Sequence, residues 1–259
     1  LLALLLALAC AAQAQVSLVS PLLQAFSGVP GQTLRGAVQL ENDGERPAQV
    51  RLSRSDYEFS VADGRQFSAP ATHPRSNANW LSFGAEIVTV PAKSRLSVPY
   101  QLRVPERPGL PGSYWSVLMV EPLAADDVLL SQSAPNGLVV KQATRYAVQL
   151  VTTLPDGAPA HVNFKNPALG RDANGQPTLQ VDLENDGERH VLLDVYAEVY
   201  AGERLVGRVN GNVKHLYPGS SARDRWTFSG LGAGEYRVVV VADGGNDQVF
   251  GVRYDLTLP

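Results

Sequence analysis

Apolar and polar residues alternate with a period of two along most of this chain. Leu34 to Glu41, Ala48 to Phe59 and Leu96 to Val104 are clear cases. That period puts successive side chains on opposite faces of an extended segment, and Val, Thr, Tyr and Ile dominate these runs. The pattern predicts strands near Val16–Phe26, Leu34–Glu41, Ala48–Phe59, Glu86–Val90, Leu96–Val104, Tyr114–Glu121 and Leu138–Thr153. A second set is predicted near His161–Phe164, Thr178–Glu184, Val191–Tyr200, Arg204–Val209, Ser221–Phe228, Tyr236–Val241 and Val249–Leu258. Helical periodicity is nearly absent beyond the first residues.

The two sets are related by an internal repeat. Val38-Gln-Leu-Glu-Asn-Asp-Gly-Glu-Arg46 recurs as Val181-Asp-Leu-Glu-Asn-Asp-Gly-Glu-Arg189. Asp-Gly between two alternating runs predicts a hairpin, with glycine taking the positive-φ position. Two weaker echoes keep the same order. Val90-Pro91 and Tyr217-Pro218 each precede a strand, and Gly112-Ser-Tyr114 matches Gly234-Glu-Tyr236. A Gly-x-Tyr entering a late strand is the pattern of a tyrosine corner, whose hydroxyl ties down the crossing loop. The fold class expected is all-β: two tandem immunoglobulin-like β-sandwich domains. They would span residues 15–154 and 159–259, joined by the linker Pro155-Asp-Gly-Ala158.

Composition narrows the function. Hydrophobic residues make up 44% and charged residues 18% of the 259, a balance that builds cores rather than a disordered chain. The net charge of −3 supplies no basic field for nucleic acid. Leu1 to Ala9 form an apolar run followed by Ala12-Gln13-Ala14, a small-x-small site, so residues 1–14 read as a signal peptide cut after Ala14. Removal of the leader would leave no membrane-spanning segment. The single cysteine, Cys10, would leave with it, excluding disulfides and thiolate catalysis. An acylated Cys10 after Ala7-Leu8-Ala9 is the competing reading.

No constellation for catalysis, cofactor or metal stands out. The histidines at 73, 161, 190 and 215 have no metal-ligand spacing. Asp172-Ala-Asn-Gly175 lacks the rest of a calcium loop and reads as a turn. The first half carries extra sequence around Val61–Phe83, including His73-Pro-Arg75-Ser-Asn-Ala-Asn-Trp80. Long loops in compact domains are often functional. Trp80 and Phe83 either cap the sandwich or, with Arg75, offer stacking faces and a cation to a cell-wall glycan. Another long connection runs from Leu123 to Asn136.

Three stretches, "VPAKSRLSVPYQLRVP" at 90–105, "PGSYWSVLMVEP" at 111–122 and "KQATRYAVQLVTTLP" at 141–155, precede the second sandwich. In that order they resemble the periplasmic pilus-assembly chaperones of the PapD-like type. Pro218 to Arg237 is also similar to Gram-positive surface proteins that pair a peptidoglycan-binding sandwich with one contacting WxL-domain proteins. The chaperone resemblance implies an envelope or fimbrial protein as partner, captured as an added strand along Gly137–Val151. It implies Leu138 and Val140 as donor side chains and Lys141 and Arg145 as nearby cations. It also implies an Arg and a Lys in an interdomain cleft, yet Val16–Phe26 holds no arginine and Ala147–Leu154 no lysine. The expectation is a periplasmic, non-enzymatic binding protein with no cofactor. A surface adhesion or glycan-binding module using the 61–83 loop is the alternative.

Overall fold

The computed structural model describes residues 16–123, 144–245 and 247–258, and every regular element among them is a strand. The expectations placed on Cys10, Ala14, Leu138, Val140 and Lys141 fall outside the described residues.

The first half holds β1 (Val16–Leu18), β2 (Leu23–Ser27), β3 (Thr33–Asn42), β4 (Ala48–Ser60) and β5 (Gly64–Ser68). It continues with β6 (Leu81–Phe83), β7 (Ile87–Val90), β8 (Ser94–Arg103), β9 (Ser113–Pro122) and β10 (Tyr146–Thr153). They form one sheet in the order β1-β3-β8-β6 and a second in the order β2-β10-β9-β4-β5, with β7 also on β4. The inward residues of the alternation, among them Val38, Leu40, Val50, Leu52, Leu102 and Leu118, are buried between the sheets. Burial of each such side chain contributes about 1.5–3 kcal/mol.

The second half holds β11 (Val162–Arg171), β12 (Pro177–Asn185), β13 (Val191–Ala201), β14 (Arg204–Asn210) and β15 (Lys214–Leu216). It ends with β16 (Ser221–Thr227), β17 (Gly234–Asp243) and β18 (Val249–Leu258). One sheet runs β11-β12-β16 and its partner β14-β13-β17-β18, with β15 also on β13. Val181, Leu183, Leu193, Val195, Trp226, Val238 and Val240 fill this second core. The architecture is thus two β-sandwiches in tandem.

The repeated Asn-Asp-Gly is not a hairpin. β3 pairs only with β1 and β8 while β4 pairs with β5, β7 and β9, so the chain crosses from one sheet to the other at this motif. The second copy does the same between β12 and β13. Its asparagine explains why. Asn42 is buried, accepts from the Gly44 N–H at 2.9 Å, and donates to the Arg46 and Val90 carbonyls at 2.8 and 3.0 Å. Asn185 makes the matching bonds to Gly187, Arg189 and Leu216 at 3.0, 2.8 and 3.1 Å. A side-chain amide replaces the ladder bonds that the crossing chain gives up. At Gly187 the glycine serves close approach: a Cβ there would lie 2.3 Å from the Pro159 carbonyl oxygen.

Two other expectations change. The single strand Val16–Phe26 is two, because Pro21 has no N–H and the chain switches sheets there: β1 joins β3 and β2 joins β10. The segment 61–83 is not one loop, since it supplies β5, hairpinned onto β4, and β6, paired with β8. The tyrosine corners are present in both halves. The Tyr114 hydroxyl donates to the Leu110 carbonyl at 2.8 Å, and that of Tyr236 to the Gly232 carbonyl at 3.2 Å.

Candidate functional site

β10 pairs with β9 along its full length, from Tyr146 opposite Val120 to Thr153 opposite Ser113. On its other flank β2 runs parallel to it only from Gln149 to Thr153. The Gln149 N–H donates to the Leu22 carbonyl at 2.7 Å. Backbone groups alternate sides along a strand, so Ala147 presents its N–H and C=O on that same flank, before β2 begins. Among the described residues no strand pairs with Tyr146–Val148 on this flank, which leaves an edge able to take up another strand. The sheet face beside it is apolar, with Leu23, Met119 and Ala147 half-buried around Val117 and Val151.

At the other end of β10 the two sandwiches meet. Tyr217, from the turn after β15, is fully buried against the first half. Its ring stacks on the Trp115 indole, with centroids 4.7 Å and planes 18° apart, and its hydroxyl donates to Gln149 Oε1. The Trp115 Nε1–H donates to the Tyr57 carbonyl at 2.6 Å, so the indole satisfies its polar atom while filling the joint. Backbone bonds lock the rest: Ser113 N–H to the Glu188 carbonyl at 2.8 Å and Gly112 N–H to the Asp156 carbonyl at 2.7 Å. The His190 N–H donates to Ser113 Oγ at 2.9 Å. Gly112, at φ 86, has to be glycine, because a Cβ would lie 2.0 Å from the Glu188 carbonyl oxygen.

A cleft of about 420 Å³ opens beside this joint, between the β4–β5 hairpin and the turn Tyr217–Ser220. Its lining includes Glu58 and Asp63, with His73 Nε2 3.4 Å from Glu58, and, among the described residues, no lysine or arginine. Next to Tyr217, His190 and His215 stack with ring centroids 5.4 Å apart, His190 Nε2 lying 3.3 Å from His215 Nδ1. Burial, and then the neighbouring His215, hold the His190 imidazole down at about 4. Burial also lowers His215.

Of the residues singled out in the sequence, Arg145 lies at the end of β10 away from the joint. It is 61% exposed, and its Nε donates to Glu121 Oε1 at 2.8 Å, so its charge is already paired. Arg75, Trp80 and Phe83 do not form a shared surface. Arg75 reaches the Pro111 carbonyl at 2.6 Å, at the joint. Trp80 is only 9% exposed, packed into the first core with its ring 4.5 Å from that of Tyr114. A ring so placed has no free face for a sugar. Phe83 is half-buried with the Arg54 guanidinium 6.0 Å from its centroid. The segment carrying them is tied down by buried Asp56, which accepts from the N–H groups of Ala71, Thr72 and His73 at 3.1, 2.8 and 2.8 Å and from the Ser76 hydroxyl. Burial raises the Asp56 pKa, but these donors outweigh it and leave the carboxyl below the usual range.

The residues missed in the sequence are Trp115, Gln149, His190 and Tyr217. One signal was available: where the first repeat has Val90 before proline, the second has an aromatic, Tyr217.

No family model matches the chain, and no curated protein matches it by sequence. Among solved structures it is similar to a chain of a chaperone–tip adhesin complex from work on CFA/I fimbriae biogenesis, with TM-score 0.52 and 11% identity. The alignment covers 93% of this chain and 98% of that one. It is also similar to the class 5 fimbriae chaperone CfaA, with TM-score 0.50 and 13% identity over 95% and 100% of the two chains. At such identities the likeness is one of fold, and the fold is that of two tandem immunoglobulin-like sandwiches.

Proposed function

We propose that this chain is an exported, non-catalytic, chaperone-like protein that holds an extended segment of an envelope or fimbrial partner by strand addition at β10. The open edge Tyr146–Val148 carries this reading, because it offers backbone donors and acceptors beside an apolar sheet face. The likeness in fold to fimbrial chaperone structures supports it. Upstream of the edge the sequence continues through Lys141, Val140 and Leu138, which would extend the captured pairing. The lining of the cleft beside the joint includes Glu58 and Asp63 and, among the described residues, no lysine or arginine, so backbone bonds and apolar contact rather than an ion pair in that cleft carry the proposed capture.

The test is Ala147→Pro, which removes the outward N–H and leaves the ladder to β9 intact. Tagged wild-type protein should retain a specific partner from envelope extract, and the variant, folded to the same degree by circular dichroism, should not. Equal capture by both would overturn the reading.

A further inference from the structure

Several sheet edges among the described residues are blunted against pairing. Among the described residues, β1 and β6 have three residues each. β11 is broken by a register shift between Lys165 and Ala168 where Pro167 lies, and β14 pairs across a shift at Val199/Tyr200. Bulges, prolines, lysines and short length are the usual ways an edge is kept from recruiting another chain. β18 has none of them. Among the described residues it is last in its sheet, runs ten residues, and stays in register with β17 from Val249 to Leu258 without a break.

Its only charges are Arg253 and Asp255, two residues apart on the outer face and 61% and 71% exposed. Within one chain they touch each other, Arg253 Nε lying 3.2 Å from Asp255 Oδ1, and Arg237 of β17 stands beside Asp255. The pattern +, x, − is self-complementary under reversal.

We propose that β18 is the seam of a homodimer, two copies pairing antiparallel along Phe250–Leu258 about a two-fold axis at Tyr254. In that register Arg253 lies opposite Asp255 of the partner subunit, and Asp255 opposite the partner's Arg253, giving two cross-strand ion pairs on the outer face. On the inner face Tyr254 meets the partner's Tyr254, flanked on each side by Val252 against Leu256 of the partner subunit. Inward residues stay inward, so the two cores lie under one continuous sheet. Moving the axis by half a residue, to a point between two residues, would turn one sheet over and set outward residues against inward ones. Moving the axis to Arg253 sets it against the partner's Arg253, and moving it to Asp255 sets that carboxylate against the partner's Asp255. Like charges directly opposite disfavour both, so the charge pattern selects one register.

The seam lies on the second sandwich and does not use the β10 edge, so its test is independent of the partner-binding reading. Sedimentation equilibrium of the full chain should show dimers at about 100 µM. R253D and D255R each replace two attractions with two repulsions and should raise the dimer dissociation constant on the order of tenfold or more. The double exchange R253D/D255R restores opposite charges in the same register and should recover the wild-type constant. Circular dichroism and melting temperature confirm that each variant is folded. A wild-type chain that remains monomeric, single variants that associate as well as wild type, or a double exchange that fails to recover, would each overturn the proposal.

Discussion

The rings of Trp115 and Tyr217 lie face to face, 4.7 Å apart, one from each sandwich. Each fills the space the other leaves, and together with Tyr57 they form a small core separate from the two main ones. The joint is therefore a packed interior and not a flexible tether.

That packing predicts the effect of Tyr217→Ala. Loss of a fully buried aromatic side chain costs about 3–5 kcal/mol, and here the vacancy opens on the Trp115 indole. Denaturant unfolding should show that loss together with a shift in tryptophan emission. Tyr217→Phe, which loses only the bond to Gln149, should cost about 1 kcal/mol.

Acid should weaken the same joint. The His190 imidazole titrates at about 4 in the folded protein against 6.5 for a free histidine, so the unfolded chain binds its proton first as pH falls. The stabilisation is complete above 6.5, declines as pH drops from 6.5 towards 4, and is gone below that. Denaturant unfolding at pH 7.5 and at 4.5 should differ by about 1–3 kcal/mol from this group. His190→Gln should reduce the difference, while an unchanged pH profile would count against the imidazole as its source.

Asp56 gives a second acid dependence with its own window. Its carboxyl is held below the usual range, so its contribution is present above the ordinary carboxylate pKa and is lost as pH falls through the lower folded value. Asp56→Asn should cost about 1.5–3 kcal/mol. It should also expose the segment 69–76, read out as new cleavage there under limited proteolysis.

Trp80 distinguishes a core role from a glycan-binding one. Trp80→Ala should lower unfolding free energy by about 3–5 kcal/mol, because the ring packs against Tyr114 inside the first sandwich. Unchanged stability with loss of binding to cell-wall preparations would instead restore the loop as a binding surface.

What could be read in the chain was local. Period-two alternation identifies most strands, since the rule acts between a residue and its next neighbour but one. The matched Asn-Asp-Gly and Gly-x-Tyr segments identify two halves of one design, and both tyrosine hydroxyls bond where that pattern implies. The Asn-Asp-Gly turn shows where local reading stops. Its residues specify a tight change of direction, but a hairpin and a sheet-to-sheet crossing begin alike, and only the burial of Asn42 and Asn185 distinguishes them.

The sequence by itself determined an all-β chain, its duplication, and the absence of any marked catalytic motif. Which sheet each strand joins, how Trp80 turns inward, and how Tyr217 meets Trp115 across the joint were decided by tertiary structure. These contacts link residues far apart in the chain. Such pairings are chosen by how whole faces pack together, and no short stretch of sequence records which distant face it will meet.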